Sequence, residues 1–327
     1  MSKMNKVVIM EFGDESKLAI VEDDLPDPAA GEVQLSVEYS IVSGSDVNMR
    51  RGTYAFQREA PLTPGYSVLG KVRVNGKGCT KFKVGDRVAC LSKYDGQAEL
   101  INLPERFLVR VPDGVDLKAA VSLVLDWVTA YQMLHQAAHI KSGQKIFVHG
   151  LRGGVGVALL SLGRIRGAQV FGTASLSKHE ELRRLGAVPF DYSNKNWITA
   201  MQELGGVDAV FDPLGFESFD ESYSVLRKGG ILVGYGMNLP ALTKRARPSA
   251  SPAILNYCPR ICSSGLANEP PSSASAARRR TSYLIWSCSL NGLGPEKSSC
   301  RSRLPSGLKK FRRHIGNMPA VRAWDPS

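Results

Sequence analysis

The sequence predicts an α/β protein with two unlike domains, a β-rich domain over residues 1–115 and a parallel-sheet domain over 116–242, followed by an irregular basic tail over 243–327. Three observations carry this reading. Short runs rich in Val, Ile and Leu, bounded by Gly, Pro and Asp, fill the first third of the chain. From Lys145 onward strands alternate with helical stretches of about 10–15 residues, the pattern of right-handed crossovers onto a parallel sheet. After Leu242 no period of either 2 or 3.6 is sustained.

In the first domain the strand candidates are "KVVIMEF", "EVQLSVEYSIV", "SVLGKVRVN", "DRVACLS", "QAELINL" and "FLVRVP", separated by turn signals such as "NGKG" and "VGD". The stretch "VDLKAAVSLVLDWVTAYQMLHQAAHIKSG" then carries apolar residues at helical spacing and stops at its "KSG". The second domain reads strand "KIFVHG", helix "GVGVALLSLGRIRG", strand "QVFGTA", helix "SKHEELRRLG" and strand "AVPFDY". It continues with helix "NWITAMQELGG", strand "VDAVFDPLG", helix "ESFDESYSVLRKGG" and strand "ILVGYG", which makes five strands.

With 327 residues, 43% of them hydrophobic, the chain is long enough for two cores. Its net charge of +12 is confined to the tail: residues 1–242 carry 27 Lys and Arg against 27 Asp and Glu, and residues 243–327 carry 15 against 3. The first three quarters therefore read as an electrically balanced cytoplasmic enzyme. The tail holds 15 Ser and 9 Pro, a composition that buries too little apolar surface to offset an ordering entropy of roughly 1–2 kcal/mol per residue. It is expected to be largely disordered, and its loss of pattern points to an altered reading frame or a mis-spliced segment. Its basic stretches "ARRRTSY" and "GLKKFRRH" would suit a polyanion through salt-dependent contacts. Basic low-complexity tails are usually unspecific, so a nucleic-acid partner is the weaker expectation. Cys79 and Cys90 are isolated and no CxxC occurs, which fits a reducing compartment. The N-terminus lacks the apolar region of a signal peptide, and no apolar run approaches the roughly 20 residues that cross a bilayer.

The glycine-rich "HGLRGGVG" at 149–156 follows a strand and opens a helix. Backbone N–H groups and the positive helix end both face such a turn, and glycine admits a diphosphate where a Cβ would block it. The strict G-x-G-x-x-G spacing fails, because Leu151 takes the first glycine place while Gly153 and Gly156 take the second and third. A glycine turn with no cofactor remains the competing reading. After the next strand, "TASLSKHE" offers Thr173, Ser175 and Lys178, with no acid before Glu180. NAD sites place an acid there for the ribose 2′-OH, so a 2′-phosphate is favoured. Ser175 or Ser177 as a simple helix cap is compatible with that role.

Taken in order, "SGSDVNMRRGTY", "TPGYSVLGKV", "GDRVA", "TAYQMLHQAAHIKSGQKIFVHGLRGGVGVAL", "VDAVFDPLG" and "LRKGGILVGYG" resemble the medium-chain dehydrogenase/reductase superfamily, and within it the zinc-independent quinone oxidoreductase branch. The resemblance covers roughly residues 5–240. It implies a GroES-like catalytic domain and a Rossmann domain with NADPH in the cleft between them. By carry-over Gly153, Gly154, Val155 and Gly156 line the diphosphate, while Ser175, Lys178 and Tyr192 surround the 2′-phosphate. Where the zinc alcohol dehydrogenases of that superfamily ligate metal with Cys and His, this chain has Ser43 and Tyr66, weaker donors at neutral pH, so no metal is expected. What remains is hydride delivery from NADPH to a small-molecule acceptor, a quinone or an α,β-unsaturated carbonyl. An enoyl-thioester reductase of a biosynthetic pathway, or a catalytically impaired NADPH-binding protein, are the alternatives. Tyr54 is the first candidate for stabilising charge on the acceptor oxygen, and Asn48 and Ser43 are weaker ones. Asp46 and Asn48 also suit capping of a short helix. A homodimer is left open. His135 and His139 form an i, i+4 pair that lacks further ligands, and Arg152 either touches a phosphate or points to solvent.

Overall fold

In the computed structural model of the protein, residues 1–54, 57–215, 217–236, 238 and 283–285 are described. Two strands, β1 (Ser2–Ile9) and β2 (Leu18–Leu25), form an antiparallel ribbon in which Lys6 faces Val21. β2 is absent from the sequence-based strand candidates. Its "LAIVEDDL" is exposed at most positions and carries three consecutive acids, so it has little of the alternation that marks a half-buried strand.

The β-rich sheet follows with β3 (Glu32–Ser40), helix α1 (Gly44–Arg50), β4 (Ser67–Asn75), β5 (Arg87–Leu91), β6 (Leu100–Pro104) and β7 (Val109–Arg110). Its order is β6-β3-β4-β5-β7, antiparallel throughout. Val33, Leu35, Val68, Val72, Phe82, Val88 and Ile101 fill its core.

A helical bridge leads out of this domain: α2 (Leu117–Ser122), a π turn at Leu123–Trp127, α3 (Val128–Gln132) and a second π turn at Met133–Ala137. Apolar spacing predicts one helix here. Each π turn widens the coil by a residue, a local event that spacing alone does not register.

The parallel sheet comprises β8 (Lys145–Val148), β9 (Gln169–Ala174), β10 (Val188–Asp191), β11 (Val207–Asp212), β12 (Leu226–Gly234) and β13 (Tyr283–Ile285). Between them run α4 (Gly154–Ile165), α5 (His179–Arg184), α6 (Asn196–Glu203) and α7 (Glu217–Ser224). Both faces are covered, so alternate side chains enter two different cores. Ile146 and Val148 pack with Leu159 and Phe211 on the α4 side. Phe147 packs with Trp197, Met201 and Val210 on the α6 side.

Two sequence-based boundaries are corrected. Residues 227–230 are expected to end a helix, yet α7 stops at Ser224 and β12 begins at Leu226, held by its pairing with Val207 of β11. The second concerns the tail. Tyr283–Ile285 adds a sixth parallel strand beside β12, with Leu284 opposite Val233. Three residues are too short for periodicity to reveal. The rest of the expectation for 243–327, disorder included, lies outside the described residues.

The spatial order β10-β9-β8-β11-β12-β13 places β8 against β11, with the chain winding away on either side. A crevice opens at such a reversal, outside the carboxyl ends of the two strands. The strand packing around it is tight: a Cβ on Gly172 would collide with the Val148 carbonyl and the Leu151 side chain, whereas one on Gly44 meets nothing within 4 Å. Gly172→Ala is therefore expected to cost about 1–3 kcal/mol, read as a lower urea midpoint at unchanged m. Gly44→Ala should leave the midpoint near that of the parent.

Candidate functional site

The turn after β8 is built by close contacts. Gly150 has φ +70°, a left-handed conformation suited to glycine, and a Cβ on Gly156 would collide with its carbonyl. Leu151, in the first glycine place, is fully buried in the core, and its N–H donates to the Thr173 carbonyl at 2.8 Å. Gly153 N–H turns back to Gly150 O at 2.9 Å, and Gly153 caps α4 with no side-chain bond. The amides of Gly154, Val155 and Gly156 thus open the helix without an acceptor among the described residues. Unpaired amides at a positive helix end are what a diphosphate requires.

Ser175, Lys178 and Tyr192 come together at the adjacent ends of β9 and β10. Tyr192 N–H donates to Ala174 O at 3.3 Å and Lys178 N–H to Ser175 O at 2.9 Å. The Lys178 and Tyr192 side chains are exposed, and Ser175 is half-buried, its hydroxyl 3.4 Å from that of Ser177. Nearby acids are engaged: Glu180 pairs with Arg184, and Glu181 with Arg152 Nε at 3.1 Å. Arg152 therefore turns toward α5. Thr173 lies deeper, buried, with its hydroxyl accepting from Gly150 N–H at 3.1 Å. It shapes the turn from below and is not grouped with the three outer residues.

Beneath the crevice a polar network closes the strand ends. His149 Nε2 is 3.0 Å from Ser222 Oγ, and its Nδ1 is 3.5 Å from Thr173 Oγ1. The Ser218 and Ser222 hydroxyls each donate to Asp212 Oδ2 at 2.7 Å, and Leu214 and Gly215 N–H donate to Oδ1. All five side chains, those of His149, Thr173, Asp212, Ser218 and Ser222, are buried. Burial pushes the His149 imidazole below its ordinary range, with Asp212 opposing.

On the β-rich side, Tyr54 OH lies 2.9 Å from Tyr66 OH, and the Tyr54 ring meets those of Tyr66 and Tyr94 edge-on. These rings pack with Ile9, Met49, Leu62 and Leu125, the last from the first π turn, so both domains contribute to one cluster. Ser43 is the α1 cap: its N–H and Oγ donate to Asp46 Oδ2 at 2.7 and 2.6 Å, and Asp46 Oδ1 takes Gly65 N–H at 2.9 Å. Its hydroxyl is thereby held within the helix cap, and the cap expected of Asp46 and Asn48 is made by Ser43 and Asp46. Asn48 instead reaches across the domains, its Nδ2 3.4 Å from Asn238 Oδ1.

Ser43 and Tyr66 are thus bonded to other side chains, and no group of three or more His, Cys, Asp or Glu among the described residues could hold a metal. His139 Nδ1 lies 3.1 Å from the His135 carbonyl. The side chains present do not fit a zinc centre.

Three residues of the crevice escape the sequence reading. In sequence Tyr66 stands out only as a residue at a zinc-ligand position, whereas the fold sets it behind Tyr54. Asp126, on the first π turn, lies against Gly154, where a Cβ would collide with its carboxylate. Tyr235 follows β12, its N–H bonded to Asp212 O at 2.9 Å. No motif marks the last two; the acid inside the apolar "VLDWVTAY" is the only signal.

This architecture, an antiparallel β-rich domain facing the switch point of a parallel-sheet domain with a glycine turn, is that of a two-domain dinucleotide-dependent oxidoreductase. Residues 29–113 match the alcohol dehydrogenase GroES-like domain and residues 154–257 the zinc-binding dehydrogenase domain. The chain belongs to the medium-chain dehydrogenase/reductase superfamily and is quinone oxidoreductase-like within it. It is 34% identical over 237 residues to the synaptic vesicle membrane protein VAT-1 homolog of Rattus norvegicus, covering 71% of this chain and 59% of that one. The chain therefore spans less than two thirds of that relative. It is 29% identical to a probable quinone oxidoreductase of Schizosaccharomyces pombe, over 77% and 79% of the two chains. Among solved structures, a mycobacterial protein complexed with NADPH is 28% identical at TM-score 0.69, over 87% and 81%. The CurK enoyl reductase is 27% identical at TM-score 0.68, over 71% and 74%. No helix among the described residues is long and apolar enough to cross a membrane.

The buried imidazole has a pH signature. Its folded pKa lies below the unfolded value of about 6.5, so below that pH the unfolded chain binds the extra proton and stability falls with acidification. Thermal midpoints measured from pH 7.5 to 5 should drop less steeply in His149→Gln than in the parent.

Proposed function

We propose that the protein is an NADPH-dependent, metal-independent reductase that delivers hydride to a quinone or to the β-carbon of an α,β-unsaturated carbonyl. The carrying observation is the pairing of the Gly154–Gly156 amides, without an acceptor among the described residues, with Ser175, Lys178 and Tyr192 at the next two strand ends. There Glu180 and Glu181 are paired with arginines, and the Asp191 carboxylate is turned onto the Ser193 N–H and hydroxyl. In this reading the amides hold the diphosphate and the Lys178 ammonium faces the 2′-phosphate, flanked by the Ser175 and Tyr192 hydroxyls. The mycobacterial relative solved with NADPH supports the same cofactor.

Bound NADPH supplies the hydride. The chain orients the acceptor and stabilises the oxygen that becomes an enolate or quinolate. Tyr54 is suited to donate a hydrogen bond to that oxygen, with Tyr66 OH behind it holding the phenol in place. Asn48, joined to Asn238, steadies the two walls of the cleft. Water returns the final proton to carbon or oxygen. The likeness to CurK favours an enoyl thioester as a second acceptor class. Free, buried Cys79 and Cys90 support a reducing, cytoplasmic setting.

Initial rates of NADPH oxidation against a quinone panel and an enoyl-thioester panel test the reading. Turnover on one panel is expected; tight NADPH binding with no turnover on either would instead mark a binding protein. Lys178→Glu should weaken NADPH about 10- to 100-fold while leaving NADH nearly unchanged. Tyr54→Phe should lower kcat/KM about 10²-fold with cofactor affinity preserved. Tyr66→Phe should follow it in direction but fall about tenfold, the size of a lost orienting bond.

A further inference from the structure

Asp126 stands at the opening of the α4 amides with nothing among the described residues to neutralise it. Its carboxylate lies over Gly154, the first residue of the helix. Among the described residues no donor bonds it and no cation offsets it; burial alone acts on it. The surrounding charges are engaged elsewhere or distant. Lys71 of β4 and Arg87 of β5 pair with Glu38, and Arg73 bonds Ser2 and Gln34. Cys90 of β5 is a buried thiol held neutral by desolvation. On the helices packed against this turn, α2 offers Lys118, α3 offers Tyr131, and α4 carries no charge before Arg164. Arg152, just ahead of α4, is taken by Glu181. Across the crevice burial keeps the Tyr235 phenol neutral, and Asp212 and then Asp126 add to that effect.

A diphosphate on the Gly154–Gly156 amides would place further negative charge beside this carboxylate. Like charges at such a distance are not both kept, and the group that can take a proton does so. We propose that Asp126 is part of the diphosphate site and meets the bound dinucleotide as the neutral acid, donating its proton to a phosphate oxygen. The balance is simple: the free carboxylate takes a proton from solvent as the cofactor binds, and no other bond forms or breaks. This rests on the NADPH reading given above. Burial already pushes Asp126 up to about 6 in the free protein, so the added proton is within reach near neutrality.

Isothermal titration of NADPH at pH 7.5 in buffers of different ionisation heat reads proton uptake directly. The cofactor's own 2′-phosphate also titrates near pH 6, so the quantity of interest is the difference between the parent and Asp126→Asn. The parent should take up close to a full proton more than the variant. Its Kd should rise by up to about tenfold per pH unit between pH 7 and 8.5, relative to the variant. Equal uptake and equal pH slopes in the two proteins, with binding intact, would overturn the role of Asp126 while leaving the cofactor reading standing. No NADPH binding by either protein at any pH from 5.5 to 8.5 would overturn both. Folding is controlled independently: burial of the charge costs stability once pH rises through about 6, so Asp126→Asn should melt higher than the parent at pH 7.5.

Discussion

Asp212 ends β11 with no solvent exposure, and its two oxygens accept from Ser218, Ser222 and the N–H groups of Leu214 and Gly215. A carboxyl group buried without hydrogen-bond partners is costly, so the fold that buries Asp212 also has to bring these donors to it. Meeting that demand pulls the first turns of α7 and the loop after β11 onto the sheet. Through Ser222 it also reaches His149, and through His149 the hydroxyl of Thr173, which receives Gly150 N–H. The glycine turn, the β9 end and the β11 loop are thereby set by one chain of hydrogen bonds. A rigid floor under the crevice fixes the amides of Gly154, Val155 and Gly156 above it, which have no acceptor among the described residues, in the arrangement that the proposed cofactor site needs.

The β-rich domain has a counterpart in Asp46. Its carboxylate closes the cap of α1 through Ser43 and simultaneously holds Gly65 N–H, fixing the turn that presents Tyr66. Gly65 itself admits no side chain, because a Cβ would collide with the backbone at Gly96 and Gln97. The tyrosine cluster that results is completed by Leu125 from the helical bridge. The same π turn that delivers Leu125 to one domain delivers Asp126 to the glycine turn of the other, one residue later.

Much of this was legible in the sequence. The βα alternation and the glycine turn located Gly153–Gly156 between β8 and α4, and Ser175 and Lys178 just past the end of β9, because strand ends and helix starts follow from local pattern. The exceptions have physical causes. β2 hid behind three acids, β13 is too short to show a period, and the extent of β12 was decided by its pairing with Val207 rather than by its own glycines. Thr173 looked like its neighbours in "TAS", yet the alternation of the strand turned it inward under the loop.

The chain's own order of residues determined the two-domain class, the family, the glycine turn between β8 and α4, and the hydroxyl and phenol at the two positions where the zinc enzymes of the superfamily carry ligands. These are properties of local spacing and side-chain chemistry, which sequence carries explicitly. Tertiary structure alone decided that Tyr66 backs Tyr54, that His149, Ser222 and Asp212 share one network, and that Asp126 lies over Gly154. Each of those pairs joins residues far apart in the chain, and what brings them together is the packing of two sheets and a bridge with two π turns, which no single stretch of sequence records.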